Sequence, residues 1–289
     1  KTDAPQAAID GFLKSAGIAS LDACEQRDTP KGKVWFYVAN IPGRQTSEVL
    51  AEQIEATLRE LPWKKSMNWS ETQFRWVRPL RGILALFDGK KLNGKFELGG
   101  QAAPLSFGDE TEGHRFLSSG KIKVSGFAGY VEKLRKASVI IDRDERKQTI
   151  KIGAEKALAA KGVALKQDEG LLEEVCGLVE WPVPLVGKID DQFMDIPPEV
   201  LVTTMRNNQK YFASVDANGK MSPYFVITAN ITSTDGGAAI IEGNQRVLRA
   251  RFADAKFFWD VDRGMKLIDR LPALESVTFH AKLGNLAAR

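Results

Sequence analysis

The 289-residue chain carries 41 basic against 37 acidic side chains, a net charge of +4. That balance is too mild to imply nucleic-acid binding without a local patch. Its composition, 43 % hydrophobic and 27 % charged, is that of a soluble globular protein of one large or two ordinary domains, and no run reaches the roughly 18 apolar residues of a membrane span. Cys24 and Cys176 lie far apart, and His114 and His280 are the only histidines, so no zinc-ligand spacing exists. The expectation is reduced, structurally minor thiols in a cytosolic protein without a metal site. The first residues, KTDAPQAAID, are neither a signal peptide nor a natural start, and the last ones stop without Gly or Pro punctuation. Both ends read as cut from a longer chain.

Residues 4–16 predict a short helix closed by Gly17. Residues 33–39 (KVWFYVA) predict a strand. Val49, Leu50, Ile54, Leu58 and Leu61 recur at helical spacing over 46–61, with Thr46 or Ser47 as N-cap, and Leu61-Pro62 suggests a boundary. Basic residues then interleave with Trp63, Trp69 and Trp76. That pattern serves either single-stranded nucleic acid, by stacking and phosphate neutralisation, or the capping of a core. Arg75, Arg78 and Arg81 recur every three residues, with Pro79 breaking any helix; they reach phosphate or pair with carboxylates. Residues 82–87, Asp88-Gly89 and 95–98 read as strand, turn and strand. His114, in a Gly- and Ser-rich loop, is an acid–base type without an identifiable partner.

Helices are predicted over 126–136, 142–161 and 169–178. Trp181-Pro182-Val183-Pro184 then excludes helix and suggests an edge strand. Pro197-Pro198 opens a helix through Met205. Strands at 210–215 and 224–230 flank the turn signal Asn218-Gly219. Between that helix and the first of these strands, residues 203–211 (TTMRNNQKY) pack hydrogen-bonding groups that suit a polar or anionic ligand or a well-bonded turn. Residues 242–262 form the most informative stretch. Leu248, Phe252, Ala255 and Trp259 share one stripe of a helix, Arg246, Arg249 and Lys256 share a flank, and Phe257 lies opposite the stripe. This is either a central helix with solvated basic side chains or one whose basic flank faces an anionic partner, with Phe257 on a contact surface. Gly264 ends it. The intermixed elements argue for an α+β fold, a layered mixed or antiparallel sheet with packed helices. No P-loop, dinucleotide fingerprint, nucleophile elbow or metalloprotease motif is found.

Several long segments resemble one family. They are residues 178–184 (LVEWPVP), 196–212 (IPPEVLVTTMRNNQKYF), 224–231 (YFVITANI) and 243–262 (GNQRVLRARFADAKFFWDVD), with 74–88 (FRWVRPLRGILALFD), 113–116 (GHRF) and 271–274 (LPAL). In this order and spacing they resemble the beta subunit of the bacterial heterotetrameric glycyl-tRNA synthetase. The resemblance implies an internal fragment with an N-terminal α/β segment (1–62), a core α+β domain (63–265) and the start of a helical HD-type domain (266–289). It implies that the core shares the editing-module fold of the phenylalanyl enzyme's beta chain. It also implies a cytoplasmic α2β2 enzyme whose alpha subunit uses ATP and Mg to activate glycine, while the beta subunit binds glycine tRNA, the alpha subunit and a second beta subunit. No catalytic residue is carried over, because a pocket fitted to glycine rejects every larger side chain and needs no editing. The RNA-binding candidates are Arg75, Arg78, Arg81, Arg206, Lys210, Arg246, Arg249 and Lys256. The subunit-interface candidates are Trp69, Trp76 and Phe257. Two alternatives stand beside this: an assembly scaffold without RNA contact, and an editing hydrolase in which Thr203, Thr204 or Arg206 orients water.

Overall fold

The computed structural model describes residues 1–288, folded as two compact units: Lys1–Leu80 with Leu92–Ser106, and Arg81–Lys91 with the residues from Phe107 onward. These units are divided differently from the segments 1–62, 63–265 and 266–289.

In the smaller unit, helix α1 (Gln6–Ala16) ends on Gly17 at φ 68°, the left-handed position that glycine takes without steric cost. Strand Gly32–Phe36 pairs antiparallel with Glu25–Thr29. The second strand is EQRDT, a polar, exposed segment with no alternation to betray it. Helix α2 (Thr46–Glu60) starts one residue earlier than the expected cap: Gln45 is the N-cap and gives no side-chain hydrogen bond, so Thr46 and Ser47 lie inside. The apolar stripe of α2 is only half-buried, and its Arg59 lies 4.7 Å over the ring of Phe96 while donating to the Glu97 carbonyl at 2.8 Å. Strand Lys95–Phe96 pairs with Leu105–Ser106.

That pairing corrects one expected hairpin. The strand before Asp88-Gly89 turns back at once, Leu86–Phe87 on Lys90–Lys91. Asp88 and Gly89 both have positive φ, 50° and 72°, as a two-residue hairpin turn of this hand requires, and such a turn fixes the register so that the next two residues must pair. Residues 95–98 are therefore free to find another strand.

The larger unit is built on a four-stranded antiparallel sheet in the order Ala164–Leu165, Phe212–Val215, Met221–Ala229, Val183–Lys188. Val183–Lys188 is an edge strand, which is where Pro184 loses no ladder bond. Helices α3 (Phe127–Lys136), α4 (Arg143–Ala159), α5 (Glu169–Cys176), α6 (Pro198–Thr204) and α7 (Ala238–Arg263) follow the predicted positions. Side chains alternate across the sheet. Phe212 and Val226 pack with Ile150, Ala154 and Leu158 of α4 and Leu171, Leu172 and Val175 of α5. Ala213, Phe225 and Ile227 pack with Leu201 of α6 and Leu248 and Phe252 of α7. The result is three layers, helix–sheet–helix. At Gly187 the sheet admits no side chain, since a Cβ there falls 2.5 Å from the Phe225 ring.

The helical continuation expected from 266 is not what the described residues form. Leu267–Ser276 is 3-10 turn with Pro272 inside it, Thr278–His280 pairs with Gly284–Asn285, and Leu286–Ala288 is a last 3-10 turn. Proline removes an i→i−4 donor, and Val277-Thr278-Phe279 favours extended backbone. No helix among the described residues is long and apolar enough to cross a membrane.

Candidate functional site

Helix α7 carries four of the candidate site residues, Arg246, Arg249, Lys256 and Phe257. Its start is fixed by Asp235, whose carboxylate accepts from the backbone N–H of Gly237 and Ala239, each at 2.8 Å, and from the Ser233 hydroxyl. Those bonds favour the charged form and hold the carboxyl at about 2, below the ordinary 3.8. Leu248 and Phe252 are buried, Ala255 and Trp259 half-buried, as the stripe predicts, and Phe257 is 63 % exposed. Its neighbour Phe258, also 63 % exposed, stands edge-to-face with it at 5.5 Å. The pair forms an apolar ridge on the solvent side.

The basic flank of α7 is committed to carboxylates. Arg249 donates to both oxygens of Asp190, at 2.5 and 3.2 Å. Lys256 reaches Asp195 at 2.8 Å and Asp260 at 3.5 Å, and Arg246 reaches Glu242, one turn back, at 3.3 Å. The Arg249 hydrogen bond holds the Asp190 carboxyl below the usual range, and Lys256 does the same to Asp195. Arg251, which the pattern did not single out, has no ion-pair partner among the described residues.

The polar stretch 203–211 is a well-bonded turn. After α6 the chain widens into a π-turn, Met205–Gln209, and Lys210 takes φ 61°. Arg206 donates to Asp168 at 2.7 Å, and Lys210 pairs with Glu174 at 2.7 Å. Burial pushes the Asp168 carboxyl up, but Arg206 and the Leu171 N–H it caps outweigh that and leave it low. Arg206 is therefore a strut between turn and helix, held by charge-assisted bonds.

Histidine 114 is 2 % exposed. Its Nδ1 accepts from the N–H of Phe116 and Leu117 at 3.2 Å, and its Nε2 lies 2.5 Å from the Asn230 carbonyl oxygen, so the proton sits on Nε2. Both ring nitrogens are used in holding the loop. The Asn230 side chain accepts from the N–H of Glu180 and Trp181, at 2.8 and 2.9 Å. Together these bonds bind residues 113–117, 180–181 and 230 into one knot. An open cleft of about 540 Å³ beside it is lined by Tyr130, Leu134, Arg146, Leu178, Glu180 and Asn230 among others. Its arginine is spent on the backbone carbonyls of Ile140, Ile141 and Cys176. The sequence does not single out Asn230 as a site residue; Tyr211, the last residue of the polar stretch 203–211, donates its hydroxyl to Asn244 of α7.

Of the remaining candidates, Arg81 is exposed in the larger unit without an ion-pair partner among the described residues. In the smaller unit Arg75 is consumed, donating to Ser66 Oγ, the Ser66 carbonyl and Asn68 Oδ1 at 3.2, 2.9 and 2.7 Å. Among the described residues Arg78 donates only to its neighbour's carbonyl, Val77. Trp69 and Trp76 are half-buried in an aromatic cluster. Trp69 meets Phe74 edge-on at 6.2 Å, Phe74 stacks on Trp76 at 5.5 Å, and Trp63 stands edge-to-face on Trp76 at 4.9 Å.

The chain matches the family model described as glycyl-tRNA synthetase beta subunit across residues 1–289. It belongs to that family. Among curated relatives, the glycine–tRNA ligase beta subunit of Rhodospirillum centenum is 50 % identical over 307 residues, covering all of this chain and 43 % of the relative. Those of Phenylobacterium zucineum and Dinoroseobacter shibae are each 48 % identical, again over the whole chain and over 42 % and 40 % of their own length. The chain thus spans less than half the length of these beta subunits.

Proposed function

We propose that this chain is a non-catalytic part of a glycyl-tRNA synthetase beta subunit, one that supports binding of glycine tRNA and assembly with the alpha subunit in an α2β2 enzyme. The observation that carries this reading is the family match over the whole of residues 1–289. In it the alpha subunit activates glycine with ATP and Mg, the joined subunits ligate glycine to tRNA in the cytoplasm, and this chain supplies surface rather than chemistry. The three-layered sheet with helices on both faces is compatible with the editing-module fold, and a fold carries no activity with it. Supporting this, His114, Arg206 and Arg146 are each tied into hydrogen bonds within the fold. Glycine's own smallness removes the need for an editing site.

The exposed Phe257–Phe258 ridge is the feature that favours the assembly role, because side chains of that size at an exposed helix face suit a protein contact. The test is capture of the alpha subunit by the beta subunit with and without Phe257→Asp, read together with glycine-dependent ATP–pyrophosphate exchange and tRNA charging. The reading expects Phe257→Asp to weaken capture and charging together. Deacylation of mischarged tRNA by this chain alone would replace the reading with an editing hydrolase.

A further inference from the structure

The loop 63–80 of the smaller unit sorts its aromatic and basic residues into two groups. Met67 and Trp76 exchange backbone hydrogen bonds at 2.8 and 3.1 Å, closing the loop; Arg75 ties its two sides together through Ser66 and Asn68. Phe74 and Trp76 pack inward, Phe74 against the fully buried Phe96 at 4.7 Å. These residues build a frame. Trp63, Lys64, Lys65 and Arg78 are left over. Lys64 and Lys65 are exposed and have neither hydrogen bond nor ion pair among the described residues. The bridge register, 67 with 76, sets Lys65 and Arg78 the same two residues beyond it. Trp63 is 40 % exposed, and an edge-to-face contact with Trp76 covers at most one face of its indole.

We propose that Trp63, Lys64, Lys65 and Arg78 form a landing surface for an unpaired stretch of RNA, a base stacking on the Trp63 indole and the three cations neutralising adjacent phosphates. The proposal rests on the tRNA-binding reading above and gives it a location that the α7 flank does not. Between positions 61 and 80 the chain has four basic residues and one acidic one, Glu71 at the loop tip. The local field is therefore positive where the whole chain's is nearly balanced. An acidic protein segment would answer the cations but not the indole face; a single strand answers both, because every base has a π-face and every linkage a phosphate. The frame behind the surface is already held by hydrogen bonds and ring packing, so binding need not order it.

The experiment is a salt series of glycine tRNA titrations on the full-length beta subunit assembled with its alpha subunit. Lys64→Glu with Lys65→Glu weakens binding and lowers the log–log salt slope by about 1.4, two single-strand phosphate contacts. Trp63→Ala weakens binding about tenfold with the slope kept, and Trp63→Phe recovers most of it. Both lysines are exposed and have no hydrogen bond or ion pair among the described residues, so their exchange separates the surface from the frame behind it. If wild type binds and the lysine variant binds with equal affinity and slope, the landing surface is wrong while the tRNA-binding reading stands. If wild type does not bind tRNA at any salt, both fall. If the variants shed the alpha subunit yet keep RNA, the surface is a protein interface and the proposal is overturned.

Discussion

On α7 of the larger unit, Arg246, Arg249 and Lys256 each end on a carboxylate, whereas in the 63–80 loop of the smaller unit Lys64 and Lys65 end in solvent. In the sequence the two clusters look alike, each a set of cations among aromatic side chains. They differ in what the fold brings to them. Asp190 and Asp195 lie about sixty residues before the cations they pair with, flanking a 3-10 turn (Asp191–Phe193) whose Phe193 packs on Phe252 of α7 at 6.0 Å. Among the described residues no carboxylate pairs with Lys64 or Lys65. A cation already paired at an exposed site adds little stability and offers little to a ligand, since a phosphate must first displace the carboxylate.

The largest effect expected from breaking this contrast is structural. Phe252 is fully buried between α7 and the sheet, so Phe252→Ala should cost about 3–5 kcal/mol in denaturant unfolding. A loss below about 1 kcal/mol would mean that α7 is not the packed member it looks. Gly187→Val should act in the same sense by driving a side chain into the Phe225 ring. Asp168→Ala removes the α5 cap and the Arg206 strut together; the cap alone is worth about 1 kcal/mol.

The same comparison explains what was legible in the sequence. The α7 stripe, the Asp88-Gly89 turn and the proline-bearing edge strand could be read because each is a local signal: a period, a dipeptide, a missing donor. The EQRDT strand could not, being polar throughout, nor could the pairing of Lys95–Phe96, which was settled by a partner across the loop. Among candidate site residues, type and spacing identified the cations correctly as cations. Which of them are free depended on Asp190, Asp195, Asp168 and Glu174, brought near by tertiary structure alone. Tyr211 and Asn230 lie inside segments the sequence singles out, but as uncharged side chains their particular hydrogen bonds, to Asn244 and to the N–H groups of Glu180 and Trp181, could not be read from type or spacing.

A smaller effect separates α7's anchor from its flank. Asp235 has its carboxyl lowered from 3.8 to about 2, so the stabilisation it contributes is fully present above about pH 4 and is lost as pH falls through about 2. Asp235→Ala should therefore lower the thermal midpoint at neutral pH, with the difference from wild type shrinking over that acidic window. A difference that does not change with pH would remove the carboxylate from the account. Arg246→Ala, which loses only an exposed pair with Glu242, should be the mildest change on α7 and should leave the tRNA salt slope where it was.

The most direct test of the contrast between spent and free cations sets two variants of the assembled enzyme side by side in tRNA titrations over salt. One carries Arg246→Gln, Arg249→Gln and Lys256→Gln; the other carries Lys64→Gln and Lys65→Gln. The account predicts an unchanged slope for the α7 variant and a slope lower by about 1.4 for the loop variant. The reverse outcome, a lowered slope for α7 and none for the loop, would show that the ion pairs on α7 open to RNA, and would contradict it.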